Sequence, residues 1–141
     1  MIDDLDQQLI ALLRADSRKP AATLAAALKV SRGTVQNRID RLVRSGVIQG
    51  FTIKTRPDVE ANRVRAIMGI AIEGERSPAV VRALRGFPEV AALHTTNGRW
   101  DLIAELEVDT LAAFSHALDR IRQIEGIAST ETSILLATQK L

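Results

Sequence analysis

Apolar residues recur at helical spacing in three segments of the first fifty positions. The first helix is predicted over residues 5–13, behind acidic side chains that suit a helix N-terminus. A second, alanine-rich helix is predicted over residues 21–28 and a third over residues 32–45. Ser31 is a favourable N-cap for the third helix, and Gly46 is a typical residue just beyond a helix C-terminus. A short turn between the second and third helices predicts a helix-turn-helix.

The pattern weakens after the third helix. Residues 47–54 alternate loosely between apolar and polar side chains and contain Gly50, which predicts a small β-ribbon or wing. The polar segment 55–63 contains Pro57 and predicts a domain boundary. We therefore divide the chain into three parts, listed from the N-terminus: a winged helix-turn-helix domain (1–50), a β-ribbon or linker (51–63) and a second domain (64–141).

In the second domain, short alternating runs typical of strands are interleaved with amphipathic segments typical of helices. Ser77 predicts the N-cap of one helix, with Pro78 at its first position, and Thr110 predicts the N-cap of another. The resulting order, β-α-β-β-α-β, is that of a ferredoxin-like sandwich, so the fold class is α+β. The strands are predicted over residues 64–73, 90–96, 100–108 and 127–137.

Both faces of the predicted sheet carry apolar side chains. Helices cover only one face of a ferredoxin-like sheet, yet Met68 and Ile67 project to opposite sides of the first strand. The last strand repeats the pattern with Ile134 and Leu135. A second copy of the same domain is the economical cover for the other face, which predicts a homodimer. The alternative is a strand with scattered apolar residues at the surface.

Charge is distributed unevenly along the chain. Residues 1–50 carry eight Lys and Arg against five Asp, whereas residues 65–141 carry eight Lys and Arg against ten acidic residues. This predicts an anionic partner for the first domain only. The chain has no cysteine, which excludes disulfides and thiolate chemistry, and no apolar run of membrane-spanning length. Acidic residues after Met1 do not resemble a secretion signal, so we expect a cytoplasmic protein with no membrane partner.

The third helix has one apolar face and one polar face. At 100° per residue, Val35, Ile39 and Leu42 share a narrow arc that we expect to pack on the other two helices. The polar face suits the major groove of double-stranded DNA, where Arg pairs with guanine and amides pair with adenine. The alternative is an ordinary solvated face, which Asp40 favours because DNA repels a carboxylate. The DNA-binding candidates are Ser31, Arg32, Gly33, Thr34, Gln36, Asn37, Arg38 and Arg41. Of the arginines on this helix, those at 38, 41 and 44 are better suited to phosphates.

The whole chain resembles the Lrp/AsnC (leucine-responsive, feast/famine) family of regulators. The resemblance implies a winged helix-turn-helix joined by a β-linker to a sandwich domain that dimerises and binds small effectors, usually amino acids. It also implies further assembly into tetramers or octamers, with the effector between dimers. The segments that carry the resemblance are LDQQLIALL (5–13), VSRGTVQNRI (30–39), LVRSGVIQGF (42–51), FPEV (87–90) and NGRWDL (97–102).

By position, the resemblance implies an effector-binding loop around the Gly-x-x-Asp turn. The chemistry is suitable, because backbone N–H groups and Thr or Asn side chains can bind a carboxylate while Asp101 accepts from an ammonium group. The alternative is a plain hairpin turn with a surface Asp. Thr130 and Thr132 on the last strand are further candidates. The loop residues are Thr95, Thr96, Asn97, Gly98, Arg99, Trp100 and Asp101, where Trp100 replaces the Tyr that is more common in the family.

Two rival functions remain open. A small ferredoxin-like enzyme would have His94 and Asp101 as its only acid/base pair, and an effector-independent oligomerising DNA-binding protein would lack a ligand site. The sequence has no metal-ligand spacing, phosphate loop or nucleophile–base arrangement. We therefore predict a sequence-specific transcription regulator that is not an enzyme and has no cofactor, metal site or catalytic residue.

Overall fold

The computed structural model describes residues 1–60 and 62–140 and contains two compact units, residues 1–54 and 55–141. The three predicted helices form the first unit. They are α1 (Asp4–Ala15), α2 (Ala21–Leu28) and α3 (Arg32–Arg44). Lys29 ends α2 in the left-handed conformation, at φ 57°, and so turns the chain sharply into α3.

Side chains cap the N-termini of α1 and α3. The Asp3 carboxylate accepts from the Asp6 N–H at 2.8 Å, and the Asp6 carboxylate accepts from the Asp3 N–H at 3.1 Å. This reciprocal capping box satisfies two backbone donors at the start of α1. The predicted N-cap of α3 is confirmed, because the Ser31 hydroxyl accepts from the Thr34 N–H at 3.1 Å.

A small apolar core joins the three helices. Leu9 of α1, Leu24 of α2, and Val35 and Leu42 of α3 are all at most 1% exposed. Burial of each such side chain contributes about 1.5–3 kcal/mol before the entropy of ordering is subtracted. The core therefore fixes which face of α3 points inwards and leaves the opposite face to solvent.

The predicted β-ribbon does not form within the single chain. Gly46, at φ 77°, ends α3, and the Ile48 N–H then donates to the Leu42 carbonyl at 3.0 Å. Over residues 49–56 the structure has no strand pairing, and Phe51 and Ile53 are 55% and 79% exposed. An extended segment becomes a strand only when a neighbour completes its hydrogen bonds, and no described segment of this unit does so.

The second unit has the predicted β-α-β-β-α-β order. After a 3₁₀ turn (Pro57–Glu60), four strands form one antiparallel sheet in the order β2-β3-β1-β4. This is the strand order of a ferredoxin-like fold, so the predicted fold class is confirmed. The elements are β1 (Val64–Ile72), α4 (Ser77–Arg85), β2 (Val90–Thr95), β3 (Leu102–Val108), α5 (Leu111–Arg122) and β4 (Ile127–Ile134).

The two helices cover one face of this sheet. Met68 and Ile70 of β1 are fully buried there against Leu84 of α4 and Ile121 of α5. The opposite face has no helix, and its residues include half-buried Ile67, which is paired in register with Glu105. We refer to it below as the open face of the sheet.

One predicted cap differs from the structure. Arg76 occupies the N-cap of α4 and makes no side-chain cap bond, so Ser77 is the first helical residue and Pro78 the second. Proline lacks an N–H, which leaves this helix with one fewer donor to satisfy and a weaker need for a capping hydroxyl. The predicted Thr110 cap of α5 is confirmed by its bond from the Ala113 N–H at 3.0 Å.

Candidate functional site

The polar face of α3 lies exposed, opposite the buried Val35 and Leu42. Arg32, Gln36 and Asn37 are all solvent-exposed along the first two turns of the helix. The Arg32 and Asn37 side chains have no hydrogen-bond or ion-pair partner among the residues that the structure describes. Their donors and acceptors are therefore available to a ligand.

Other predicted DNA-binding residues in this region already have partners. The Ser31 and Thr34 hydroxyls bond each other at 2.9 Å, so both serve the cap of α3. Gln36 Nε2 donates to Asp40 Oδ1 at 3.0 Å, and the Gln36 side-chain carbonyl oxygen has no partner among the described residues. Asp40 therefore orients an amide on the exposed face.

Arg38 and Arg41 project from α3 towards the start of α1. Arg38 Nη1 donates to both oxygens of Asp3, at 2.6 and 2.7 Å, and to Asp6 Oδ1 at 2.9 Å. Arg41 Nη2 donates to Asp6 at 2.7 and 3.0 Å. The Arg38 guanidinium and the Asp6 N–H together lower the pKa of Asp3 from 3.8 to about 2, and the two carboxylates raise the pKa of Arg38. We call these four residues the acidic clasp.

The clasp changes the interpretation of Arg38. Its side chain is 23% exposed and is neutralised by two carboxylates, whereas the Arg41 side chain is 52% exposed. A guanidinium so enclosed is poorly placed to reach a phosphate, so the structure gives Arg38 a tertiary role that the sequence did not indicate. Spacing alone could not reveal the clasp, because its partners are 32 to 35 residues apart.

The Gly-x-x-Asp loop is held by its own hydrogen bonds. The Thr96 N–H donates to the Asp101 carbonyl at 3.2 Å, the Gly98 N–H donates to the Thr96 hydroxyl at 3.2 Å, and that hydroxyl donates to the Trp100 carbonyl. Asp101 Oδ2 accepts from the Ile72 N–H at 2.7 Å, which ties the loop to the end of β1. The other carboxylate oxygen of this exposed Asp has no partner among the described residues.

Trp100 lies on the open face of the sheet, over Gly69 of β1. A Cβ atom at Gly69 would come within 2.6 Å of the indole ring, so only glycine allows this packing. The Arg99 guanidinium covers the ring at 5.0 Å from its centroid, a cation–π contact. Sequence reasoning missed Gly69, although a glycine inside an apolar strand is a signal of close approach.

Thr130 and Thr132 face the other way. In the register of the sheet they pair with Ile70 and Met68, which are buried under the helices. Directly paired residues of antiparallel strands share a face, so the two threonines lie on the side of the sheet opposite Trp100. Within the single chain they therefore lie on a different face of the sheet from Trp100, and their part in an effector site stays a prediction. The β4 residue opposite Gly69 is the exposed Glu131.

The residues of the rival enzyme have separate partners. His94 Nε2 and Glu105 Oε2 are 2.9 Å apart, whereas the Asp101 carboxylate accepts from the Ile72 N–H. No cluster of three or more His, Asp or Glu side chains suited to a metal ion occurs in residues 1–60 and 62–140. Within the same ranges, none of the helices has both the length and the apolar character needed to cross a bilayer.

A helix-turn-helix with an exposed polar recognition face, followed by a ferredoxin-like domain, defines a two-domain transcription regulator. The sequence matches the model of the AsnC-type helix-turn-helix domain over residues 2–43 and that of the Lrp/AsnC ligand-binding domain over residues 65–141. The chain therefore belongs to the Lrp/AsnC family of transcriptional regulators, as its sequence motifs indicated.

Known proteins resemble it over almost their whole length. An uncharacterised HTH-type transcriptional regulator from Pyrococcus abyssi is 31% identical over 140 residues, which cover 99% of this chain and 95% of that protein. The structure of AsnC from E. coli matches this chain with a TM-score of 0.79 at 26% identity, and the match covers 100% of this chain and 96% of the AsnC chain. A transcriptional regulator from Neisseria meningitidis, solved as a complex with L-Met, has a TM-score of 0.77 at 20% identity. That match covers 100% of this chain and 94% of the Neisseria chain.

Proposed function

We propose that α3 reads duplex DNA with the side chains of Arg32, Gln36 and Asn37. The observation that carries this proposal is the exposure of these side chains on the first two turns of α3, directly opposite its buried stripe. The N-terminal half of a recognition helix is the part that reaches base edges in the major groove. An arginine and two amides supply hydrogen bonds for guanine and adenine.

Phosphate contacts come from other arginines. Arg41 and Arg44 lie on the later turns of α3 and are exposed. Within the described residues, the Arg44 side chain bonds a single backbone carbonyl, at 3.4 Å. We leave Arg38 out of this set because the acidic clasp neutralises it. Such contacts fix the register of the protein on DNA without reading its sequence.

Selection of bound fragments from random duplex DNA tests this function. We expect the full chain to enrich a defined sequence, and Gln36→Ala or Asn37→Ala to relax the preference at one base pair by about 1–3 kcal/mol. Gln8→Ala is the matched control, because Gln8 is an exposed amide on α1 of the same unit. If Gln36→Ala and Asn37→Ala enriched the same sequence as the Gln8→Ala control, with equal discrimination, the proposed role of α3 would be contradicted.

We also propose that a small metabolite, an amino acid or a close relative, binds beside Trp100 on the open face. The surroundings offer the complementary charges, with the Arg99 guanidinium for a carboxylate and the Asp101 and Glu131 carboxylates for an ammonium group. The L-Met complex of the Neisseria regulator illustrates that this fold can hold an amino acid. Titration of the chain with amino acids, followed by the fluorescence of its single Trp, measures binding.

The same open face is our candidate for the homodimer contact, with tetramers or octamers built from such dimers. Exposed or half-buried apolar side chains, Ile67 and Leu135, lie there beside a small cavity of about 100 Å³ that Arg65 and Glu107 also line. A ligand that favours one assembly state over another would then change DNA binding by its differential affinity. We place this activity in the cytoplasm, with the DNA it regulates, and propose that the chain acts by binding and not by catalysis.

A further inference from the structure

The acidic clasp contains more than a capping box needs. Asp6 is completely buried, and its two carboxylate oxygens accept from Arg38, Arg41 and the Asp3 N–H. A capping box requires only the last of these bonds. Burying a carboxylate carries a desolvation cost, which the two guanidinium groups of α3 offset. The additional contacts therefore connect the start of α1 to the recognition helix.

The two arginines of the clasp are held in different ways. Arg38 makes three contacts to two carboxylates through Nη1 and is mostly enclosed. Arg41 is half exposed, and its only side-chain bonds run from Nη2 to Asp6. Among the residues described, Arg41 Nη1 and Nε have no partner. One end of this half-exposed guanidinium is fixed, while its other donors are available to a ligand.

We propose that Asp6 is a positioning residue for DNA recognition, which fixes Arg41 so that its unpartnered donors meet a DNA phosphate. This inference rests on the proposed reading of DNA by α3. An unrestrained arginine loses side-chain entropy when it binds, whereas one already held by a carboxylate loses less. The fixed arginine also sets the register in which the first turns of α3 meet the bases.

Simple electrostatics gives the opposite expectation. A carboxylate close to a DNA-binding surface repels phosphates, so its removal should strengthen the binding of every duplex alike. If Asp6 positions Arg41, its removal should instead weaken the binding of the selected duplex and lower the discrimination against other sequences. The sign of the effect therefore separates the two roles.

The experiment compares Asp6→Asn with Asp4→Asn in the full chain. Asp4 is exposed in the same first turn of α1 and has no partner in the described part of the chain, so its variant removes an equal charge without touching the clasp. Dissociation constants are measured over a range of salt concentrations for the duplex selected by the wild type and for a scrambled duplex. We expect Asp6→Asn to bind the selected duplex about tenfold more weakly, with a salt slope smaller by about one. Asp4→Asn should keep the discrimination of the wild type.

A double-mutant cycle tests whether Asp6 acts through Arg41. If it does, the selected duplex should bind the double variant Asp6→Asn/Arg41→Gln no more weakly than Arg41→Gln alone. Circular dichroism at the assay temperature checks that each variant is folded. Should Asp6→Asn fail to fold, Arg41→Lys is tested instead. Lysine keeps the positive charge of Arg41 but lacks the planar guanidinium that can bind Asp6 and a phosphate together, so we then expect discrimination to fall.

Additive effects in the cycle, or stronger binding of both duplexes by Asp6→Asn, would overturn the positioning role. Unchanged discrimination by a folded Arg41→Lys would do the same. A wild-type chain that selects no duplex would instead overturn the proposed reading of DNA by α3. The two failures are therefore distinguishable.

Discussion

The Asp3 carboxylate takes part in two separate interactions. It caps the first turn of α1 through the Asp6 N–H, and it holds Arg38 of α3 at 2.6 Å. Both interactions are stronger with the ionised form, and the bond from Arg38 contributes most to lowering the pKa of Asp3 from 3.8 to about 2. The stability of the first unit should therefore depend on the protonation of this side chain.

The pH dependence has a definite sign. Because the folded pKa of Asp3 lies below its ordinary value, its stabilising effect is present above about pH 3.8 and is lost as the pH falls to about 2. We expect the α1 and α3 amides of Asp3→Asn to exchange with deuterium faster than those of the wild type at pH 5. The difference between the two proteins should shrink as the pH falls towards 2 and disappear below it.

The comparison at each pH cancels the intrinsic pH dependence of exchange. Asp4→Asn again serves as the control, since Asp4 lies outside the clasp. A difference between wild type and Asp3→Asn that stays equally large at pH 2 would show that the stabilisation does not come from the charged carboxylate.

Among the elements, β1 and the loop after β2 are matched to each other in shape. Gly69 leaves the space that the Trp100 indole fills, and the bond from Ile72 to Asp101 closes the contact at the end of the strand. The candidate effector site is thus built from a strand and a loop about 30 residues apart in sequence. A change in either part should alter the other.

Gly69→Ala tests this match. The new Cβ would come within 2.6 Å of the ring, so the indole must move, at a cost of about 1–3 kcal/mol. We expect the emission of the single Trp to shift to longer wavelength as the ring becomes more exposed to water. The control is Gly98→Ala, whose Cβ would have its nearest neighbour at 3.8 Å. Identical spectra for Gly69→Ala and wild type would refute the packing.

Local signals predicted most elements correctly, whereas contacts between distant residues could not be predicted. Ser31, Thr110 and Gly46 are recognised by their immediate neighbours, and the structure confirms the helix boundaries they indicated. The acidic clasp and the facing of Thr130 depend on register and tertiary packing, which periodicity does not contain. The predicted β-ribbon after α3 is absent for a related reason: the pattern of residues 47–54 is that of a strand, but a strand also needs a neighbouring segment to pair with, which the pattern does not reveal.

For the complete chain, the open face is the proposed surface for assembly. Leu135 is 43% exposed and lies beside Glu105 and Glu107, while its N–H continues the sheet by donating to the Arg65 carbonyl at 2.8 Å. A second copy placed here would remove these apolar side chains from water.

Leu135→Glu should break such an assembly. The substitution places a third carboxylate beside Glu105 and Glu107, and an unpaired charge is costly to bury at an interface. Light scattering of the full chain at tens of micromolar should then report a lower mass than for the wild type. Leu136→Glu is the control, because Leu136 is already 92% exposed. An unchanged mass for Leu135→Glu would place the contact on another surface.

The packing of Trp100 on Gly69 also limits the order in which substitutions can accumulate during evolution. Any larger residue at position 69 collides with the indole, whereas a smaller residue at position 100 leaves position 69 unobstructed. A lineage that carries this pair therefore avoids the cost of displacing the indole only if position 100 shrinks before position 69 grows. The less costly order of substitution at the candidate effector site therefore begins with Trp100.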